Sequence, residues 1–390
     1  MLFRSQGRIH PDYAGIELGL AEKMVIRVLA HATRLEEARV ERMWKEKGDL
    51  GLVAEEAIAA RRQAPLESTP LTVSKVHANL DAIAREGGEG SQDRKIRLLS
   101  DLLGNATPRE AKYILRMVVG KMRLGVADMT IVDALAVAFA TKADRGCVER
   151  AYNVSSDLGE VARVLASNGL DGLETIHLKL FRPIRAMLAE RLETLDEILK
   201  RLGRCALEYK YDGLRVQAHV SPTRIELFSR HLENITGQFP EIVQALRSAI
   251  QDREAIVEGE AVPVDPNTGE FLPFQEVSRR RGRKTEVDRM AKEFPVTLFA
   301  FDCLLHGDED LTVRPYTERR KALEAALRPN EGIRHSTVCV TNDVKRAEAF
   351  FDEALQAGCE GLMAKALGSA YDAGARGFQW IKLSGNTARP

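Results

Sequence analysis

Glu208-Tyr209-Lys210-Tyr211-Asp212-Gly213-Leu214-Arg215 is the stretch on which the reading of this chain turns. Cys205 to Tyr209 and Leu214 to Val220 flank it with β-branched, aromatic and leucine residues at alternate positions, the pattern of two strands. Asp212-Gly213 then falls where a tight turn is expected, and Lys210 stands at a strand end beside a pocket. A lone Asp-Gly between strands is most often an ordinary hairpin carrying a solvated lysine. The residues downstream compete with that bland reading.

Ser229-Arg230-His231-Leu232-Glu233 comes next, then Glu258-Gly259-Glu260, Leu298-Phe299-Ala300-Phe301-Asp302, Glu360-Gly361-Leu362-Met363-Ala364-Lys365 and Trp380-Ile381-Lys382-Leu383. Together with Lys210, Asp212, Gly213 and Arg215, this ordered set resembles the nucleotide-site motifs of the covalent nucleotidyltransferases. It is most similar to the ATP-dependent DNA ligases of the archaeal and eukaryotic replicative type, and the resemblance runs across nearly the whole chain. The fold it implies is multidomain, with an all-α N-terminal DNA-binding domain followed by an α+β adenylation domain built on antiparallel sheets.

The same resemblance implies the chemistry. Lys210 is the nucleophile that takes AMP from ATP, the AMP passes to the 5′-phosphate of a DNA nick, and the 3′-hydroxyl displaces it. Glu208 would accept a hydrogen bond from the adenine amino group and Phe301 would stack on the base. Arg215 and Arg230 would lie near the ribose or the nick phosphate, and Lys365 and Lys382 would neutralise the α-phosphate. Glu260 and Glu360 would hold Mg²⁺, and Glu260 also belongs to the nucleotide site.

Elementary chemistry agrees with that cast. A lysine amine with an ordinary pKa near 10.4 is charged at neutral pH, so a nucleophilic Lys210 needs desolvation and neighbouring cations. Phosphoryl transfer depends chiefly on positioned charge, which explains a mixture of carboxylates and cations. Phe299 and Phe301 alternate along one strand, so one of them belongs to the core, whereas Glu260 at the end of an apolar strand is harder to explain as packing.

Composition sets the frame: 390 residues, 44% hydrophobic and 29% charged, fit a globular protein of two or three domains. No run approaches a membrane span, and Met1 to His10 has neither an apolar core nor a cleavage pattern, which makes a cytoplasmic protein the default expectation. Five scattered cysteines suggest neither a disulfide framework nor a zinc site. The net charge is zero, so a nucleic-acid surface requires segregated charge. Arg85 to Gly125 carries nine Lys/Arg against five Asp/Glu, a modest local excess of +4 that a solvated helical face would also show.

Residues 1 to about 150 read as helical, with apolar residues three to four apart over Ile16–Ala30 and Leu35–Ala60. Ser91 is read as an N-cap, and Thr107-Pro108-Arg109-Glu110 as a complete helix start. Helical stretches are also read near Leu158–Leu165 and Ala186–Leu199, and the boundary between the domains, 1–177 and 178–390, is placed near residue 178. In the resembled family this helical half grips duplex DNA, which casts Ser91, Arg94, Lys95, Lys121 and Arg123 as phosphate contacts. The expected partners are nicked double-stranded DNA and a sliding clamp, with the chain itself a monomer. Arg279-Arg280-Arg281-Gly282-Arg283-Lys284 is either a solvated loop or a phosphate-facing element.

Against the family pattern, Ala186 stands where a proline is usual and Ser384 where a second lysine is. By the same comparison the chain begins inside the helical domain and stops where an OB-fold domain is expected. The competing expectations are therefore an RNA ligase or capping-type enzyme, and a DNA-binding remnant without activity. An NAD-dependent ligase is disfavoured, because its four-cysteine zinc site is not supplied here.

Overall fold

The computed structural model describes residues 7–61, 69–250, 254–265, 267–275, 289, 291 and 293–385. The arginine-rich stretch 279–284 lies outside the described residues. The chain divides into two compact units, Met1–Glu149 with Asp157–Leu173, and Arg150–Ser156 with Glu174–Pro390.

Described helices of the first unit are α1 (Glu22–Thr33), α2 (Glu37–Lys47), α3 (Leu50–Ala59), α4 (Val73–Arg85), α5 (Ser91–Gly104), α6 (Pro108–Val118) and α7 (Asp128–Phe139). Helix α8 (Arg145–Ser155) follows, its later residues counting with the second unit, and then α9 (Leu158–Asn168). Their apolar stripes meet in one core that includes Val28 and Leu29 of α1, Val53 of α3, Leu99 of α5 and Leu115 of α6. The stretch Leu35–Ala60, read as helical from its apolar spacing, holds two helices. Gly48 closes α2 in the left-handed region, and Asp49 caps α3 by accepting from the Gly51 amide at 2.8 Å. Thr107 and Glu110 do form a capping box, with Pro108 at the first helical position. Ser91 is not the cap of α5: Gly90 holds that place and Ser91 is the first helical residue.

The second unit packs two sheets with helices on their outer faces. Its strands are β1 (Leu188–Arg191), β2 (Cys205–Lys210), β3 (Leu214–Val220), β4 (Ile225–Ser229), β5 (Ala255–Pro263), β6 (Val296–His306), β7 (Glu309–Asp310), β8 (Ile333–His335), β9 (Val338–Thr341), β10 (Gly361–Ala366) and β11 (Arg376–Ser384). One sheet runs β1-β11-β10-β2-β9 and the other β4-β3-β5-β6-β7, with β8 also on β6. Pairing is antiparallel except at β1–β11 and β6–β8. Helices α10 (Leu195–Leu202) and α13 (Val344–Gln356) cover the first sheet, and α11 (Pro240–Ala249) and α12 (Tyr316–Ala326) the second. Tyr211, Val262 and Phe299 join the apolar layer of the first sheet.

Two expectations are corrected here. Ala186–Leu199 is not one helix: β1 pairs with β11, and α10 starts only after Thr194, whose hydroxyl accepts from the Glu197 amide at 3.2 Å. More consequentially, β2 and β3 do not form a hairpin. Strand β2 pairs with β9 and β10, and β3 with β4 and β5, so Tyr211-Asp212-Gly213 carries the chain from one sheet to the other. Gly213 is needed for closeness: a Cβ there would stand 2.4 Å from the Ala261 carbonyl oxygen and 2.9 Å from Cγ of Glu260.

Candidate active site

Crossing between sheets at residues 211–213 is what gives Lys210 its surroundings. On its own sheet, antiparallel β10 sets Gly361 opposite Lys210, Met363 opposite Glu208 and Lys365 opposite Ala206. Strand β11 then sets Lys382 opposite Met363 and Trp380 opposite Lys365. From the other sheet, β3 and β5 pair Arg215 with Glu260. The β5–β6 register slips between Glu258 and Gly259, leaving Phe301 as an extra residue opposite them. That bulge separates the two phenylalanines. Phe299 is 4% exposed and stacks on Tyr211, whereas Phe301 lines the cavity.

The cavity, of about 260 Å³, is lined by Lys210, Glu208, Arg215, Arg230, Glu260, Phe301, Lys365 and Lys382, so every nucleotide residue named from the sequence converges there. Met187, Arg376 and Trp380 line it too. Arg376 went unnamed in the sequence, although it sits at an even-numbered position of β11 with Trp380 and Lys382 and could have been found by strand alternation.

Lys210 forms an ion pair with Glu360, and the Glu360 amide donates to the Lys210 carbonyl at 2.8 Å. Burial lowers the pKa of the Lys210 amine below the usual lysine range, opposed by Glu260 and Asp212 and assisted by Lys382. The Glu360 pair also opposes the shift, but that carboxylate is 41% exposed and screened by solvent, so burial decides the direction. Glu260 is pushed up to about 7, first by burial and then by Asp212 and Glu258, against Arg215 and Lys210. Burial outweighs the two cations beside this carboxylate. With Glu360 close by on Lys210, the donor set suits a hard divalent cation such as Mg²⁺, which needs only one or two carboxylates and keeps several waters. Among the described residues, no group of three or more His, Cys, Asp or Glu side chains forms a metal cage.

Arg215 is engaged by protein groups. It donates to Glu258 Oε2 at 2.7 Å, to the Met187 carbonyl at 2.9 Å and to the Tyr371 hydroxyl at 3.3 Å. Lys365 is likewise committed: 1% exposed, it pairs with Glu208 Oε2 at 2.9 Å, an ion pair the sequence did not reveal. Arg230 is exposed at the end of β4, and Lys382 is half-buried on β11.

In the first unit the cast of phosphate contacts divides. Arg94 pairs with Glu86 at 2.6 Å and donates to the Gly87 and Glu89 carbonyls, which pins the loop before α5, while Lys95 donates to the Leu18 carbonyl at 3.0 Å. Lys121 and Arg123 are 63% and 51% exposed, the first touching Glu22 and the second the Gly48 carbonyl and Asp49. Ser91 is partly exposed at the start of α5.

Among the described residues no helix is long and apolar enough to cross a membrane. Comparison with known proteins gives two family matches: "ATP dependent DNA ligase domain" over residues 186–384 and "DNA ligase N terminus" over residues 1–136. Curated relatives include "DNA ligase 2" of Thermofilum pendens, 46% identical over 98% of this chain and 65% of that protein. "DNA ligase" of Acidianus ambivalens is 45% identical over 97% and 65%, and "Probable DNA ligase" of Dictyoglomus thermophilum 43% identical over 98% and 65%. The chain thus spans about two thirds of the length of the curated relatives it matches. With the motif residues gathered around Lys210 all inside the first match and helices of the first unit inside the second, the chain belongs to the ATP-dependent DNA ligase family.

Proposed function

We propose that this chain carries the adenylation and DNA-gripping parts of an ATP-dependent DNA ligase, with Lys210 as the group that becomes covalently adenylated. The observation that carries the reading is Lys210 itself: an amine of lowered pKa at the wall of a cavity, beside Glu260, Glu360 and Lys382. Neutral Lys210 Nζ attacks the α-phosphorus of ATP, a P–N bond forms, the bond to pyrophosphate breaks, and the amine proton leaves to solvent. AMP then transfers to the 5′-phosphate of a nick, which returns Lys210, and the 3′-hydroxyl displaces AMP to make the phosphodiester.

Glu260 and Glu360 would hold Mg²⁺, which supplies charge neutralisation on the phosphate oxygens. Lys382 stands across Met363 from Glu208, two ladder positions from the level of Lys210, and is suited to the α-phosphate. Phe301 offers a ring for the base. The helical domain, residues 1–177, would hold duplex DNA by its backbone through Lys121 and Arg123, and the adenylation domain, 178–390, would do the chemistry, in a cytoplasmic monomer that a sliding clamp could recruit.

The test is incubation with α-labelled ATP and Mg²⁺. Acid-labile label on the protein, absent from Lys210→Ala, is the expected result. A wild-type chain that takes no label, or a Lys210→Ala variant that takes it normally, would overturn the assignment.

A further inference from the structure

Asp49 stands where two helices of the first unit meet, and its side chain is 4% exposed. Oδ1 accepts from the Gly51 amide at the start of α3, and Oδ2 accepts from two nitrogens of Arg116 on α6, at 2.7 and 3.1 Å. Arg123 Nε stands 3.6 Å from the same Oδ2. Burial raises the pKa of this carboxyl, but the Arg116 and Gly51 hydrogen bonds and the two guanidinium charges outweigh it and hold Asp49 below the usual carboxylate range. The helices meet closely here: a Cβ on Gly51 would stand 2.7 Å from Cγ of Arg116 and 2.7 Å from the Lys112 carbonyl oxygen.

Arg123 is distinctive in its backbone as well. It belongs to the loop 120–125 between α6 and α7, and its φ of 56° lies in the left-handed region, which is costly for a residue with a Cβ. Such a conformation persists where the surroundings over-determine it. Met122 does so from one side, buried in the helical core, and the Arg123 guanidinium from the other, donating from Nη2 to the Gly48 carbonyl at 2.7 Å beside Asp49. These contacts draw on Nη2 and more loosely on Nε, and the side chain stays 51% exposed, which leaves some of its five donors for a ligand.

We propose that Asp49 is a positioning residue for DNA: it holds Arg123 and the loop 120–125 in a conformation that presents the guanidinium to a backbone phosphate of the duplex. This inference rests on the proposed function for the identity of the ligand and adds what shapes the grip. Two effects of opposite sign decide it. By charge alone a carboxylate beside a phosphate contact repels DNA, and its removal should tighten binding. A carboxylate that orders a long side chain in advance spares the complex that ordering, and its removal should weaken binding.

Fluorescence anisotropy of a labelled nicked duplex at about 100 mM salt compares four full-length proteins: wild type, Asp49→Asn, Arg123→Ala and the double variant. Asparagine still caps a helix, so α3 keeps its start while the charge that holds Arg116 and Arg123 is removed. Thermal unfolding sets a temperature at which all four are folded, and Asp49→Ser, also a capping residue, takes the place of an Asp49→Asn that does not fold. Asp49→Asn should weaken binding about fivefold, against the sign that charge alone gives, and by less than about twofold once Arg123 is alanine. The proposal is overturned if Asp49→Asn tightens binding or leaves it unchanged, or if it weakens binding as much beside Arg123→Ala as without it. Arg123→Ala is a surface change that tests the proposal independently: an affinity equal to wild type overturns it. A wild-type chain that does not bind the duplex overturns the DNA-gripping part of the proposed function and this inference together, whereas a wild type that binds without dependence on Asp49 overturns only this inference.

Discussion

Arg215 meets Glu258 at 2.7 Å between two adjacent strands of the second sheet, and the Glu258 side chain is 1% exposed. The same carboxylate accepts from Tyr371 at 2.8 Å and Gln217 at 3.2 Å, while Arg215 also donates to the Met187 carbonyl. Arg215 thus ties the segment before β1 to the sheet that carries Glu260. Removing one partner of a buried pair leaves a desolvated charge, so Arg215→Ala should lower unfolding stability by about 3–5 kcal/mol. Denaturant unfolding checks this. A loss below about 1 kcal/mol would leave Arg215 free to act mainly on ligand.

Lys210→Ala and Lys210→Arg should both abolish covalent labelling with ATP. Arginine keeps its proton at every accessible pH and cannot act as the nucleophile, so the arginine variant separates charge from nucleophilicity. Thermal unfolding of either variant should stay near wild type, because Lys210 is at a strand end with a partner that is 41% exposed.

Strands on either side of Asp212-Gly213 were legible because alternation is a local property, but their partners were not. An Asp-Gly pair reads as a hairpin turn whatever the strands pair with, and here it marks a crossing between sheets where Gly213 must pass close to Ala261. Glu208, Lys210 and Lys382 could be named from motif order, since each chemistry-bearing residue stands on its own short stretch. The Glu208–Lys365 pair could not, because it joins residues 157 positions apart through ladder register. Apolar spacing does not mark the break at Gly48-Asp49, because it continues through it, and only the cap geometry shows where one helix ends and the next begins.

His219 is fully buried, and its pKa is lowered to about 3 by burial. Its neutral form is also fixed by bonding: Nδ1 accepts from the Phe181 amide at 2.9 Å, and Nε2 donates to Gln217 Oε1 at 2.9 Å. A group whose folded pKa is depressed from 6.5 contributes full stability above 6.5, and this is lost as pH falls toward 3, because only the unfolded chain takes up the proton. Between pH 7.5 and 5.5, wild type should lose about 1.4 kcal/mol more than His219→Gln. Equal pH dependence of the two unfolding curves would contradict the buried neutral imidazole.

Glu260, at about 7, adds a second pH dependence, this one on function. Its folded pKa is raised from 4.5, so in metal-free protein its contribution to stability is present below 4.5 and declines as pH rises through 7, opposite in sign to His219. A cation at Glu260 must displace a proton, which makes metal use weaker below pH 7. Labelling by ATP at low Mg²⁺ should rise with pH through about 7, and raising Mg²⁺ should move that limb to lower pH. Mg²⁺ held by Glu260 and Glu360 would also offset the carboxylates that face Lys210 and lower the pKa of its amine, so identical pH profiles at two Mg²⁺ concentrations would contradict a cation at Glu260.

Phosphate gripping by the helical domain should depend on exposed cations, and exposure ranks the candidates. Lys121 and Arg123 are both more than half exposed, whereas Arg94 and Lys95 are spent on carbonyls and Glu86. Lys121→Ala with Arg123→Ala should weaken nicked-duplex binding by a similar factor for any sequence and reduce the salt slope by on the order of one per cation removed. Arg94→Ala should act differently. It releases the Gly87 and Glu89 carbonyls and an ion pair that is only partly exposed, so its main effect should be a small loss of stability with the salt slope retained. Fluorescence anisotropy of a labelled nicked duplex from about 50 to 200 mM salt, beside thermal unfolding of the same variants, checks both arms. If Arg94→Ala lowers the salt slope as much as the Lys121 and Arg123 pair does, the loop before α5 is itself part of the grip, and its internal bonds must open when DNA binds.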